Sequence, residues 1–151
     1  MKRVVITGMG TICPIGNNTK EMWESILNNK SGIDYIKGNS QKETNVKIAA
    51  EIKNIKLQDY LTEREIHFNS KYINYAKIAS KEAFLDSGLN ADEIDHDRFG
   101  VFISSNIGGC EKIEESYEED KINSHYIPAV LTNSASSMVA IDFKANGLNM
   151  S

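Results

Sequence analysis

Val4-Val5-Ile6-Thr7 is an unbroken β-branched run that stops at Gly8-Met9-Gly10. β-Branched side chains are stiff about χ1 and suit a pleated strand better than a helix. A short apolar run without polar alternation, closed by glycine, reads as a strand covered on both faces, as in parallel sheets. Such a strand cannot stand alone, so the rest of the chain must supply neighbours and covering helices. Pro14 and Gly16 then hold a loop open.

The segments that follow supply helices. Asn18 or Thr19 can cap a helix that places Met22, Trp23, Ile26 and Leu27 on one face and ends near Asn29, before a turn at Ser31-Gly32. Residues 37–45 are polar and aperiodic, as expected of a surface loop. Val46, Ile48, Ala50 and Ile52 alternate with other residues, which predicts a half-exposed strand. Thr62 with Glu65 matches a capping box. It opens a long helix expected to run to Ser87, with Tyr72, Tyr75, Ala76, Ala79, Ala83 and Phe84 on its inner face and Gly88 as the stop. Phe99–Ile103 is a second buried-strand candidate and leads into Ser104-Ser105-Asn106-Ile107-Gly108-Gly109. An acidic helix is expected from Cys110 to about Asp120, and a buried helix late in the segment after Pro128. Strands alternating with helices point to an α/β layered fold.

With 151 residues the chain is long enough for one domain with a sizeable core and too short for two comfortable ones. Seventeen basic residues against 21 acidic ones, interleaved as in Glu111-Lys112-Ile113-Glu114-Glu115, leave no basic stripe. Nucleic acid and anionic membranes are therefore not expected partners. The apolar start is too short for a signal-peptide core or a membrane span, and the unpaired spacing of Cys13 and Cys110 suits a reducing compartment, so the expected location is cytoplasmic.

Direct chemical motifs are few. Gly8 and Gly10 begin a dinucleotide-like pattern, but its last glycine is replaced by Cys13 and Pro14 follows, so a tight turn is the better reading. A nucleophilic thiol needs a base or a helix N-terminus. Cys110 stands at an expected helix start without a histidine nearby in sequence, and a buried structural cysteine is the commoner fate. His67, His96 and His125 match no metal-ligand spacing. Glu114-Glu115 and Glu118-Glu119-Asp120 read as a solvated helix face.

The ordered segments nevertheless carry a resemblance. Arg3-Val4-Val5-Ile6-Thr7-Gly8-Met9-Gly10, Pro14-Ile15-Gly16, Trp23 and Ser31-Gly32-Ile33 resemble the opening of β-ketoacyl-ACP synthases, type II most closely. Tyr75-Ala76 through Asp86-Ser87-Gly88-Leu89, the loop Ser104–Gly109, Ile127-Pro128 through Asn133, and Gly147–Ser151 are similar to later family segments. Only residues 37–60 align loosely. The resemblance implies a thiolase-type α/β layered fold, of which residues 1–151 are the N-terminal domain, an incomplete half with a mixed sheet and packed helices. It implies acyl and malonyl thioesters on acyl carrier protein as substrates, decarboxylative condensation as the reaction, and a homo- or heterodimer, with no cofactor and no metal.

In such enzymes a cysteine takes the acyl group and two histidines and a lysine support the condensation. The cysteine follows the Gly147–Ser151 lead-in and the others belong to the later half of the family's sequence. No catalytic residue is carried over, and the chain is expected to be inactive alone. Two substrate-binding positions are: Ile107 matches the isoleucine that gates the acyl pocket, and Tyr126 matches an aromatic, usually phenylalanine, that lines this pocket across the dimer. Leu148 stands where proline is usual, Ser70 where aspartate is common, and His67-Phe68 replaces a basic-rich stretch. Two other readings compete: a non-catalytic ketosynthase-like partner subunit or gene remnant, and a small free-standing enzyme using Cys110.

Overall fold

The computed structural model describes residues 3–36, 45–118, 122 and 124–151. Its first helix, α1 (Thr19–Leu27), starts where Asn18 accepts the N–H of Glu21, an N-cap that satisfies one of the donors a helix leaves unpaired. The expected apolar face is present but only lightly covered, with Trp23, Ile26 and Leu27 exposed. A two-stranded antiparallel ribbon follows, formed by β1 (Ile33–Tyr35) and β2 (Ile48–Ala50), in which Asp34 pairs with Ala49. The alternation of residues 46–52 predicts β2. Its register is inverted, because Ile48 and Ala50 face out and Ala49 is half-buried. β1 has no periodic signal and is defined by its pairing. The loop predicted at 37–45 lies, apart from Asn45, outside the described residues.

Thr62 and Glu65 form the predicted capping box at the start of α2 (Glu63–Phe68). The long helix expected from there to Ser87 is in fact two helices, because Asn69 and Ser70 are extended (ψ 155° and 161°). The second, α3 (Lys71–Asp86), then stops before Gly88 as expected. The break rotates the inner face. Ile73, Asn74, Lys77 and Ile78 are buried, whereas the predicted Tyr72, Tyr75, Ala76, Ala79, Ala83 and Phe84 are half-buried.

Within the predicted strand at 99–103, whose Phe99 carbonyl and Ile103 N–H also bond to Gly147 (2.9 Å) and Met150 (3.1 Å), Val101–Phe102 is the stretch in strand register. It forms β3, running parallel to β4 (Asn149–Met150), and Phe102 is exposed while Val101 is buried. Between them lie α4 (Cys110–Glu118), α5 (Tyr126–Val130) and α6 (Ser134–Phe143), the last being the predicted buried helix. Glu119 and Asp120, predicted to end α4, lie outside the described residues. The small side chains of α6 allow α3 to approach closely, since Ala135, Ser136, Val139 and Ala140 are all buried. Val101, Val139 and Ala140 form the core with Ile103, Phe143 and Ala145, and Phe84 packs on Phe143 at 4.8 Å between ring centres.

The Lys77 ammonium bridges Glu65 of α2 and Asp142 of α6, the latter at 3.0 Å, with its side chain 6% exposed. A buried lysine needs such partners, since an unpaired charge there carries a large desolvation penalty. Its hydrogen bond and that of Thr62 hold the Glu65 carboxyl down to about 2. Burial works against the Lys77 charge, but its hydrogen bonds to both carboxylates outweigh this and keep its pKa above the ordinary lysine value.

The Val4–Thr7 run is not a buried strand. Val4 is 92% and Ile6 85% exposed, and no strand pairs with the run among the described residues. A strand satisfies its backbone only through neighbours. Without one, its apolar side chains have nothing to pack against. The next residues are held by α3 instead. Asp86 accepts the Met9 N–H (2.9 Å), and Glu82 accepts the N–H groups of Thr11 (2.9 Å) and Thr19 (2.8 Å). Gly8 and Gly10 serve this contact rather than a tight turn. A Cβ on Gly10 would lie 2.0 Å from the Ala79 carbonyl oxygen, and one on Gly8 2.1 Å from that of Ala83.

Candidate functional site

The small-residue loop after β3 and the helix α5 form one wedge. Ser105 accepts the Gly108 N–H through its hydroxyl at 3.0 Å, which bends the loop back. Gly108 has φ +74°, a left-handed backbone that favours glycine. The following Gly109 sits against α5 so tightly that a Cβ there would come within 2.2 Å of the Ala129 carbonyl oxygen and 2.7 Å of Ser70 Cβ. At Gly108 the obstacle would be the Val130 carbonyl oxygen, 2.3 Å away. Gly109 donates to that same carbonyl at a long 3.4 Å. Small residues at these positions thus let two backbones meet.

Of the two predicted binding residues, Ile107 stands on this loop and is 68% exposed, while Tyr126 is the first residue of α5 and is half-buried. The loop–helix wedge brings their backbones into one part of the fold. His125, just before Tyr126, stacks on Phe68 with ring centres 3.9 Å apart and planes 22° apart. The Tyr72 phenol donates to the Leu131 carbonyl just past α5. Burial pushes the Tyr72 and Tyr75 phenols up, and for both the Glu111 carboxylate adds to the rise.

Cys110 is exposed at the start of α4, not a buried structural cysteine. Cys13 is half-buried, and both thiols are free. Among the described residues no group of three or more His, Cys, Asp or Glu side chains could hold a metal ion. No helix among them is long and apolar enough to cross a membrane. An open apolar groove of about 280 Å³ lies elsewhere, between Thr7-Gly8, α3 and the Gly100–Ile103 edge of β3.

Sequence reasoning missed Glu82, Asp86 and Glu111. Each is an ordinary acidic residue on a helix, and its role is set by a backbone N–H far away in sequence. Glu111 accepts the N–H of Lys71 from the first turn of α4.

The model of the family "Beta-ketoacyl synthase, N-terminal domain" matches residues 1–151. The chain is 37% identical over 154 aligned positions to the 3-oxoacyl-(acyl-carrier-protein) synthase 2 of Staphylococcus aureus (strain COL), covering 98% of this chain and 37% of that protein. The chain thus spans little more than a third of the length of the curated relatives it matches. A β-ketoacyl synthase from Burkholderia phymatum STM815 superposes with a TM-score of 0.80 at 21% identity, over 99% of this chain and 39% of that one. The ketosynthase complex AntDE:AntF, a type II PKS acyl-carrier protein with its ketosynthase bound to the hexaketide, gives 0.76 at 20% identity, over 95% of this chain and 40% of that one. The thiolase-like α/β architecture is common to these structures and this chain.

Proposed function

This chain belongs to the β-ketoacyl synthase N-terminal domain family, and from that premise we propose that it forms the N-terminal portion of a 3-oxoacyl-ACP synthase-like condensing enzyme. In the reaction proposed, an acyl group passes from a carrier-protein thioester to an enzyme thiol. Malonyl thioester loses CO2, and the resulting carbanion attacks the acyl carbonyl, forming a carbon–carbon bond and releasing the thiol. This chain contributes no catalytic residue to those steps and is inactive alone. Its part is the scaffold and one wall of the acyl pocket, with Ile107 as gate and Tyr126 as lining, in a homo- or heterodimer that receives its substrate from an acyl carrier protein.

The observation that carries this reading is the wedge of the Ser105–Gly109 loop on α5, inside a family match that runs the length of the chain. The wedge presents an exposed isoleucine from a backbone that glycine packing holds in place. A branched side chain on a fixed backbone can discriminate acyl length by steric exclusion, and each methylene in an apolar pocket is worth about tenfold or more in selectivity.

The test is a chimera in which this chain replaces the matching segment of the Staphylococcus aureus synthase. The chimera is expected to condense acyl and malonyl carrier proteins, and the chain alone to yield no product. Ile107→Phe is expected to reduce use of long acyl chains by about tenfold relative to short ones. A folded chimera that makes no product overturns the condensing-enzyme reading. An active chimera whose chain-length profile ignores both Ile107→Phe and Tyr126→Ala removes the pocket wall.

A further inference from the structure

Helix α3 begins without a cap of its own. Ser70 occupies the N-cap position, yet its side chain makes no capping bond, and its buried hydroxyl oxygen has no hydrogen-bond partner. The first turn of a helix leaves donors unpaired, and a carboxylate suits them both as an acceptor and as a negative charge at the positive end of the helix dipole. That carboxylate comes from another element. Glu111 Oε1, in the first turn of α4, accepts the N–H of Lys71, the first residue of α3.

The same turn of α4 reaches the end of α2. Lys112 Nζ lies 3.4 Å from the His67 carbonyl oxygen and is held by Glu115 at 2.7 Å, while its backbone N–H donates to Gly109 (3.0 Å). The start of α4 thus spans the break between α2 and α3. It also follows directly on Gly108, which meets the end of α5 at Val130, and on Gly109, which is pressed between α5 and Ser70.

We propose that Glu111 is a positioning residue for the Ile107 loop: its carboxylate on the Lys71 N–H ties the start of α4, and through it residues 105–109, to α3. This rests on the reading of Ile107 as the acyl gate. It adds that the gate's position is set by a cap supplied across the fold. The geometry makes loop and helix start one mechanical unit, in which releasing the carboxylate frees the loop without requiring α3 to unfold.

Amide hydrogen exchange on the 151-residue chain tests this without any acyl ligand. Lys71→Pro removes the donor, together with the exposed lysine side chain. Ser70 already has the extended backbone (φ −76°, ψ 161°) that a residue before proline needs, and proline is favoured at the first position of a helix. The Gly108 and Gly109 amides are expected to exchange about tenfold faster in Lys71→Pro, while amides from Tyr75 to Asp86 keep their protection. Glu111→Ala should release the loop equally and add nothing in the Lys71→Pro background. Glu111→Gln, which keeps an acceptor, should restore most of the protection. Unchanged exchange at Gly108 and Gly109 in Lys71→Pro, with α3 still protected, overturns the proposal. So does a loop released equally by Glu111→Gln and Glu111→Ala. Either result would leave the acyl-pocket reading to its own chimera test.

Discussion

The α3–α6 contact and the Val4–Thr7 run are both apolar in sequence, and the fold treats them in opposite ways. Ile73, Ile78, Ala135, Val139 and Ala140 are buried, and the one cation among them, Lys77, is neutralised by Glu65 and Asp142. Val4 and Ile6 lie almost fully exposed. The difference is one of backbone accounting. A helix satisfies its own N–H and C=O groups and then needs only one face covered. A strand needs neighbours on its edges before its side chains have any surface to pack on. What each region requires from elsewhere therefore sets where stability resides.

The largest effect is expected where the helices meet. Lys77→Ala leaves Glu65 and Asp142 facing each other with no cation between them. Losing one partner of a buried ionic cluster typically costs about 3 kcal/mol, here moderated by water reaching both carboxylates. Urea unfolding should show a fall of that order in the midpoint-derived stability. A change below about 0.5 kcal/mol would mean that the triad is no more than a surface pair, and the contrast between the two regions would lose its strongest element.

Acid should act at the same place more gently. The Glu65 carboxyl titrates near 2 when folded, against 4.5 ordinarily. A lowered folded pKa means that its contribution is complete above 4.5 and is lost as pH falls through 2. Because the carboxylate is partly solvated, the loss is expected to be about 1 kcal/mol after screening. Glu65→Gln should flatten this part of the stability–pH curve between pH 4.5 and 2. If the variant keeps the wild-type slope there, the acid sensitivity comes from other carboxyls.

The same accounting explains what could be read from the residues. Asn18, the Thr62–Glu65 box and the stop at Gly88 are local signals, each written within a few positions, and all occur as expected. The break at Asn69-Ser70 was hidden because apolar residues on its two sides keep helical spacing, Phe68 and Tyr72 four apart and Ile66 and Ile73 seven apart. The true inner face of α3 includes Asn74 and Lys77, and Lys77 is an intelligible core residue only once distant Asp142 is known. β1 was invisible because its identity is its pairing with β2. Ile107 and Tyr126 were singled out by family resemblance rather than by their own chemistry, and the fold places them on the two sides of the glycine wedge. Glu111 stood among acids that do face solvent, Glu114, Glu115 and Glu118. Only the position of the Lys71 N–H separates it from them.

The smallest effect on stability, and the sharpest test of the comparison, is expected from Val4→Ser/Ile6→Ser. Side chains already in water lose no burial when made polar, so unfolding free energy should stay within about 0.5 kcal/mol of wild type. Association should respond instead. Val4, Ile6, Ile33, Ile48, Phe102 and Leu148 are all exposed, and apolar surface on this scale favours self-association at high concentration. Light scattering of the wild-type chain should show apparent mass rising with concentration, and the double variant should need roughly tenfold more protein for the same rise, the effect of removing about 1.4 kcal/mol of apolar contact. A double variant that is markedly less stable as a dilute monomer would show that Val4 and Ile6 are buried within one chain in solution. The run would then have found a strand partner, and it would rank with α3–α6 as a structural element rather than stand apart from it.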